Sequence, residues 1–484
     1  MCLLSVDKFY IMLDMSLQLK FLPWDILYSE DEIEIKSVDT IVQYFKNSCS
    51  GHKEMAIGVE CERSGVYKDD LKPVQYFGVN GRGGYLDVLK KLNHELGWEI
   101  VYEEKGNIYE LLRCGTRIGI ENDGRLELAS KPRLDLHDLA REFLFYNHEV
   151  SEISKIFGIV FLGIGYQPFS TVKEISYAPR IRAKIIDKIY KSRVEKQKWM
   201  KLANGLHINI DYTSEEDAIR KTQILWRISS ILAAMFACSP FENGKRAKHL
   251  DHRLYVNQEM DKDRIPLQKA FLSKDFSFKK WVDYCVDLPI FYLMRDGKPI
   301  YPKTTFREFI KNQTKTGIVP SIRDFNLHLK SIWSEVRLRK YIEFRSIDSV
   351  PQFLLMSASV LIKGLLYSKK SLIAVENMVG DFGYDELMKL RNNVLKENLR
   401  ANFRGKPVLY YAKELINIAS ENLKLFKNLN EKGEDESVYL EPLKEFIFIK
   451  EKSPARYLLE KWEGEWGKDN KKLVEWVTAE TRPS

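Results

Sequence analysis

Two carboxylates one residue apart, Glu60 and Glu62 in "AIGVECE", are the first residues in this chain whose spacing suggests chemistry. Side chains alternate along an extended segment, so Ile57, Val59 and Cys61 share one face and Gly58, Glu60 and Glu62 the other. Residues two apart on a strand are separated by about 7 Å along the backbone, close enough for both carboxylates to converge on one divalent cation. The same division recurs. In "IGIENDGRLELAS", Ile118, Ile120, Leu126 and Leu128 form an apolar face, while Gly119, Glu121, Arg125 and Glu127 form a polar one. A three-residue turn at 122–124 would set Gly119 opposite Glu127 and leave room beside its carboxylate. "HINID" groups His207, Asn209 and Asp211, "YIEFR" groups Tyr341, Glu343 and Arg345, and "FLGIGYQP" puts Gly163 and Gly165 on a common side.

A single Glu-x-Glu pair is ordinarily a solvated strand face, because exposed acids are common. Solvated faces mix Lys, Thr and Ser, whereas these repeat Glu with Gly, the composition expected where a ligand approaches the backbone closely. Magnesium takes hard oxygen ligands and is commonly shared between carboxylates and substrate phosphates. A Glu-rich, His-poor set therefore points to Mg²⁺ with a nucleotide rather than to zinc.

The elements that must position these faces are short strands mixed with helices. No internal repeat and no Pro/Gly/Ser linker divides the chain, which argues for one α+β body. Apolar periodicity predicts helices near 84–97, 134–157, 181–202, 214–238, 321–333, 352–367 and 408–428. Thr213 with Glu216 predicts a capping box for the 214–238 helix, and Arg227 within its apolar run marks a core helix rather than a membrane span. "NEKGEDES" at 430–437 reads as an exposed loop. "GVNGRGGYL" precedes a helix but lacks the Lys-Ser/Thr of a phosphate loop, so a turn is the simpler reading. The stretch 239–264 gathers Lys245, Arg246, Lys248, Arg253, Lys262 and Arg264 into one expected loop, either solvated or placed to neutralise phosphates. His137 and His148 fall in an amphipathic helix and read as structural or exposed.

The net charge of +8 comes from 76 basic and 68 acidic residues, interleaved along most of the chain. This favours small anionic substrates or simple solubility, and no nucleic-acid partner is expected. The six cysteines show neither a CxxC pair nor metal-type spacing, as expected of reduced thiols in a cytoplasm. "MCLLSVDKFYIML" carries Asp7 and Lys8 within its apolar run, so neither a signal peptide nor a membrane partner is expected.

The ordered series "IGVECERSG", "IGIENDGRLELAS", "FLGIGYQP", "HINIDYTSEEDAIRK", "SPFENGK", "DKDR", "EVRLRKYIEFRSID" and "SPARYLLEKWEGEWG" resembles the plant-type glutamate–cysteine ligases, a family also found in bacteria. The resemblance implies a glutamine-synthetase-like carboxylate–amine ligase fold, in which an antiparallel sheet forms an active-site funnel with helices packed outside. It also implies ATP-dependent joining of glutamate to the cysteine amine through a γ-glutamyl phosphate, with Mg²⁺ as cofactor. By the same matching, Glu60, Glu62, Glu121 and Glu127 are metal ligands and Glu343 is a fifth. Arg345 and Arg264 hold reacting phosphate; Arg182, Arg253 and Asn209 bind substrate; Lys245 and Lys262 bind the nucleotide phosphates. The expected organisation is an N-terminal extension (1–29), a single catalytic domain (30–475) and a tail (476–484). A cytoplasmic monomer or homodimer of bacterial type is expected.

Two departures stand beside these matches. The family often has Tyr after the matched arginine, where this chain has Ala183, and the positions of two family cysteines tied to redox control fall near Asn204 and Thr314, which are not cysteines. A redox disulfide is therefore not carried over. The alternative within the same fold is a ligase that joins glutamate to a different amine.

Overall fold

The alternating segments pair into one antiparallel sheet in a computed structural model that describes residues 33–49, 55–313 and 317–480. Its nine strands are β1 (Ile57–Tyr67), β2 (Glu99–Glu104), β3 (Asn107–Arg113), β4 (Thr116–Ile120), β5 (Leu126–Ala129), β6 (Ile159–Leu162), β7 (Gly205–Ile210), β8 (Val336–Leu338) and β9 (Ile342–Asp348). The spatial order is β8-β9-β7-β1-β5-β4-β3-β2, and β6 pairs with the far end of β1.

Register sets which acids meet. Glu62 lies opposite Glu127, Glu60 opposite His207, and Asn209 opposite Glu343. Gly119 lies opposite Glu127, as the three-residue turn requires, and Gly124 closes that turn at φ 93°, a conformation glycine adopts without steric cost. On the other face Ile57, Ile208, Ile210, Ile342 and Phe344 are fully buried. Helices Glu215–Phe236 and Gln352–Leu366 pack against that side. Each such side chain contributes about 1.5–3 kcal/mol, so a one-residue slip that turned the glutamates inward would be strongly disfavoured.

Most predicted helices form near their expected bounds, and four local expectations are corrected. The 181–202 segment is two helices, Ile181–Tyr190 and Val194–Leu202, joined by a turn in which the Arg193 N–H donates to the Tyr190 carbonyl. The break lets Tyr190 and Trp199 both enter one apolar cluster. The cap of the 215–236 helix falls one residue later than expected: Ser214 Oγ accepts from the Asp217 N–H, and Asp217 accepts from the Thr213 N–H. The basic stretch is not one loop, because His252–Met260 is helical. The 430–437 loop is not wholly exposed either. Glu436 is fully buried, accepting from Lys363 Nζ at 2.7 Å and from the Leu136 N–H at 2.8 Å.

The glycine-rich turn before helix Tyr85–Leu96 folds on itself, and Asp87 caps the Gly84 N–H at 2.8 Å. That helix start is satisfied from within. His137 is buried on Tyr439 and Asn428, while His148 is exposed beside Glu480. Among the described residues Cys49, Cys61, Cys114, Cys238 and Cys285 are free thiols, and no helix is long and apolar enough to cross a membrane. The expected extension 1–29 and Thr314 lie outside the described residues.

Candidate active site

The polar face of the sheet borders a cavity of about 310 Å³. Glu60, Glu62, Glu121, Glu127, Glu343, Arg182 and Arg345 all line it. Seven expected site residues, from β1, the β4–β5 hairpin, β9 and the helix Ile181–Tyr190, therefore converge, and the carboxylates fall into two groups.

The first group joins β1, β7 and β9. One ligand atom from each of Glu60, His207 and Glu343 lies within 4.8 Å of the others. Glu60 accepts from Asn209 Nδ2 at 2.8 Å and contacts His207 Nδ1 at 3.2 Å. Glu343 is gripped by both ends of Arg337, each at 2.8 Å, and by Arg345. Burial would raise its pKa, but Arg337, Arg345 and Arg339 hold the carboxyl far below the usual range. Burial, and then Arg345, push the His207 imidazole down. A neutral imidazole beside two carboxylates suits cation binding.

The second group joins β1 and the β4–β5 hairpin. Glu62 takes the Gly205 N–H at 2.6 Å and faces Arg125 at 3.6 Å. Burial opposes its ionisation, yet Arg125 above all keeps it below the ordinary range. Burial also opposes ionisation of Glu121, which Arg182, Arg125 and Arg180 bring down to about 2. Glu127 behaves differently. It pairs with Arg117 at 2.7 Å, but burial and repulsion from Glu60, Glu121 and Glu62 push its carboxyl well above the usual range. A divalent cation among these acids would relieve that repulsion. Among the described residues His207 Nε2 and Asn209 Oδ1 are buried without a protein partner, and the donor set is oxygen-rich with one imidazole. The residues present fit a divalent cation.

Several expectations are revised. Asn209 does not line the cavity; it sits behind Glu60 and orients it. Arg253 is buried one layer below, donating to the Arg345 carbonyl at 3.0 Å with its guanidinium over Trp199. Arg264 is also off the cavity, over the Phe291 ring and bonded to the Pro289 carbonyl. Lys245 is exposed on a two-residue hairpin arm and Lys262 is exposed beyond its helix, so neither reaches the cavity. Ala183 is buried, away from the lining. Gly163 and Gly165 do not make room for a ligand: a Cβ there would strike Val350 and Asp348 of this same chain. At Gly119 a Cβ would meet Arg117 only at 3.6 Å, an ordinary contact, because the guanidinium already occupies the space beside Glu127.

Arg117, Arg125, Arg180, Arg337 and Arg339 also line the site and carry no role in the motif reading. Arg337 had a legible signal, since "VRLRKYIEFR" places it across a tight β8–β9 connection from Glu343. Arg180 had none: it reaches in as the residue before a helix, donating to the Ile120 carbonyl at 2.8 Å.

Residues 56–475 match the model of glutamate-cysteine ligase family 2 (GCS2). Glutamate–cysteine ligase A, chloroplastic, of Oryza sativa subsp. japonica is 30% identical over 434 residues, spanning 88% of this chain and 85% of the relative. The chloroplastic glutamate–cysteine ligase of Arabidopsis thaliana is also 30% identical over 434 residues, spanning 89% of this chain and 80% of its own length. The structure of the Francisella tularensis glutamate–cysteine ligase in complex with AMP superposes with a TM-score of 0.53 at 12% identity, covering 88% of each chain. The fold and nearly the whole length agree, and the chain belongs to glutamate–cysteine ligase family 2.

Proposed function

We propose that this chain is a glutamate–cysteine ligase that forms γ-glutamylcysteine, the first step of glutathione synthesis, using ATP. The observation that carries the reading is the convergence of five glutamates and paired arginines on one cavity within a family-long match. The glutamate γ-carboxylate oxygen attacks the γ-phosphorus of ATP and ADP leaves. The cysteine amine then adds to the acyl carbon, inorganic phosphate departs, and the amine proton passes to solvent.

Phosphoryl transfer depends on positioning and charge neutralisation more than on covalent chemistry. Glu60, Glu343 and His207 would hold one Mg²⁺, and Glu62, Glu121 and Glu127 a second. When bound, the ions would neutralise phosphate oxygens and polarise the γ-phosphoryl group. Arg345, fixed by Glu343 and by Arg253 on its carbonyl, faces the transferred phosphoryl. Arg182 is assigned to a glutamate carboxylate because it borders Glu121 in the cavity lining, whereas Arg253, below the cavity, supports Arg345 from behind. Trp199, Tyr292 and Trp333 give the cavity the apolar wall a nucleoside needs. Arg264, Lys245 and Lys262 are not assigned contacts. We further propose that residues 30–475 act as one catalytic unit.

The test is phosphate release by the full chain with glutamate, ATP and Mg²⁺, with the product identified by mass. Cysteine should stimulate release and yield γ-glutamylcysteine. Stimulation by another amine but not cysteine would replace this reading with the same-fold alternative.

A further inference from the structure

The back of β1 carries a second feature that ligation does not use. Arg63 follows Glu62 in sequence, so its side chain leaves the opposite side of the sheet, opposite Leu126. There it lines a cavity of about 330 Å³ between β6, helix Leu136–Ile156 and helix Asn470–Val477. Arg63 Nε and Nη2 are closed off from solvent and meet no acceptor among the described residues. The arginines that line the ligation funnel, by contrast, each have a carboxylate or carbonyl close by. Arg63 as a whole is half-buried, so it is these two enclosed nitrogens that lack a partner, and they form the edge of the guanidinium best shaped to hold a carboxylate through two parallel hydrogen bonds.

The surroundings narrow the ligand. Leu126, Val150, Ile159 and Phe161 make most of the wall apolar. Lys68 and Lys155 stand among the lining residues, Lys155 already paired with Glu152. Glu475 and Glu480 also line the cavity, and Glu480 is turned to His148. Neither acid pairs with Arg63. Their charge disfavours a polyanion such as a nucleotide or inorganic phosphate, while the apolar wall favours a hydrocarbon body.

We infer that this cavity is a binding site for a small organic monocarboxylate, its carboxylate on Arg63 and its apolar body against Val150 and Phe161. It is separate from the ligation funnel, since the two lie on opposite faces of β1.

The test is calorimetric titration of the full chain with 3-phenylpropionate, with and without saturating glutamate and Mg·ATP. Saturable binding, unchanged by the substrates, is expected, and the neutral analogue 3-phenylpropanol should bind at least tenfold more weakly. Arg63→Met should weaken 3-phenylpropionate at least tenfold. Should that variant fail to fold, Ser151→Trp, which fills the cavity from the helix side while leaving Arg63 in place, should abolish binding. Absence of binding, its loss when glutamate and Mg·ATP are present, or equal affinity in a folded Arg63→Met or Ser151→Trp variant would overturn the inference.

Discussion

Glu343 and Glu127, one carboxylate from each side of the funnel, are the same residue type and behave in opposite ways. On the β7–β9 side, Glu343 is held by Arg337 and Arg345 and is strongly favoured as the anion. On the hairpin side, Glu127 has Arg117 alone, faces three other acids, and is strongly favoured as the acid. Number and placement of arginines, rather than burial, separate them, since both are nearly solvent-free. Glu343 is therefore preorganised as an anion, whereas the charge on Glu127 is opposed by its acidic neighbours.

Substitutions can break that contrast. Glu343→Gln has the largest expected structural effect: it leaves Arg337 and Arg345 buried without their anion and should cost about 3–5 kcal/mol, read as a lower denaturation midpoint. An unchanged midpoint would show that the arginines find other partners. Glu127→Gln replaces a carboxyl already favoured as neutral. The midpoint should stay within about 0.5 kcal/mol of wild type, while turnover falls on the order of 100-fold because a proposed Mg²⁺ ligand is gone. Equal destabilisation in the two variants would erase the difference between the halves.

Smaller effects sharpen the account. Arg253→Lys should lower kcat about tenfold with little change in the glutamate KM, because the hydrogen bond that fixes the Arg345 backbone is weakened; a rise confined to the glutamate KM would place Arg253 at the substrate instead. The weakest expected effect lies on helix Ile322–Leu329, whose Leu327 lines the cavity. Burial pushes His328 from 6.5 down to about 4. Unfolding then takes up a proton between these values, so stability is complete above the unfolded value and is lost as pH falls. Between pH 7.5 and 5.5 the loss should be about 1 kcal/mol, and His328→Gln should remove it.

Much of the site was legible because strands alternate. The faces of "IGVECE", "IGIENDGRLE" and "YIEFR" follow from period two alone, and antiparallel register then brings Glu62 to Glu127 and Glu60 to His207. What stayed hidden depends on tertiary position. A Glu-rich, His-poor count undervalued His207, because one imidazole at the meeting point of β1 and β9 matters more than the tally. The lysines of 239–264 looked suited to phosphate, but their sequence spacing says nothing of the hairpin and helix that hold them away from the cavity. Gly163 and Gly165 matched a ligand-facing pattern, yet their space is filled by Val350 and Asp348, which sequence neighbours cannot reveal.

The most direct test is a Mg²⁺ titration of cysteine-stimulated phosphate release, comparing wild type with Glu60→Gln at saturating glutamate and ATP. Glu60 pairs with no Arg or Lys among the described residues, so the change removes a proposed cation ligand without stranding a buried arginine. Wild type should show saturable, cysteine-dependent release, and Glu60→Gln should fall by about 1000-fold or more with its fold intact. Retained release with an unchanged Mg²⁺ profile in Glu60→Gln would contradict the account.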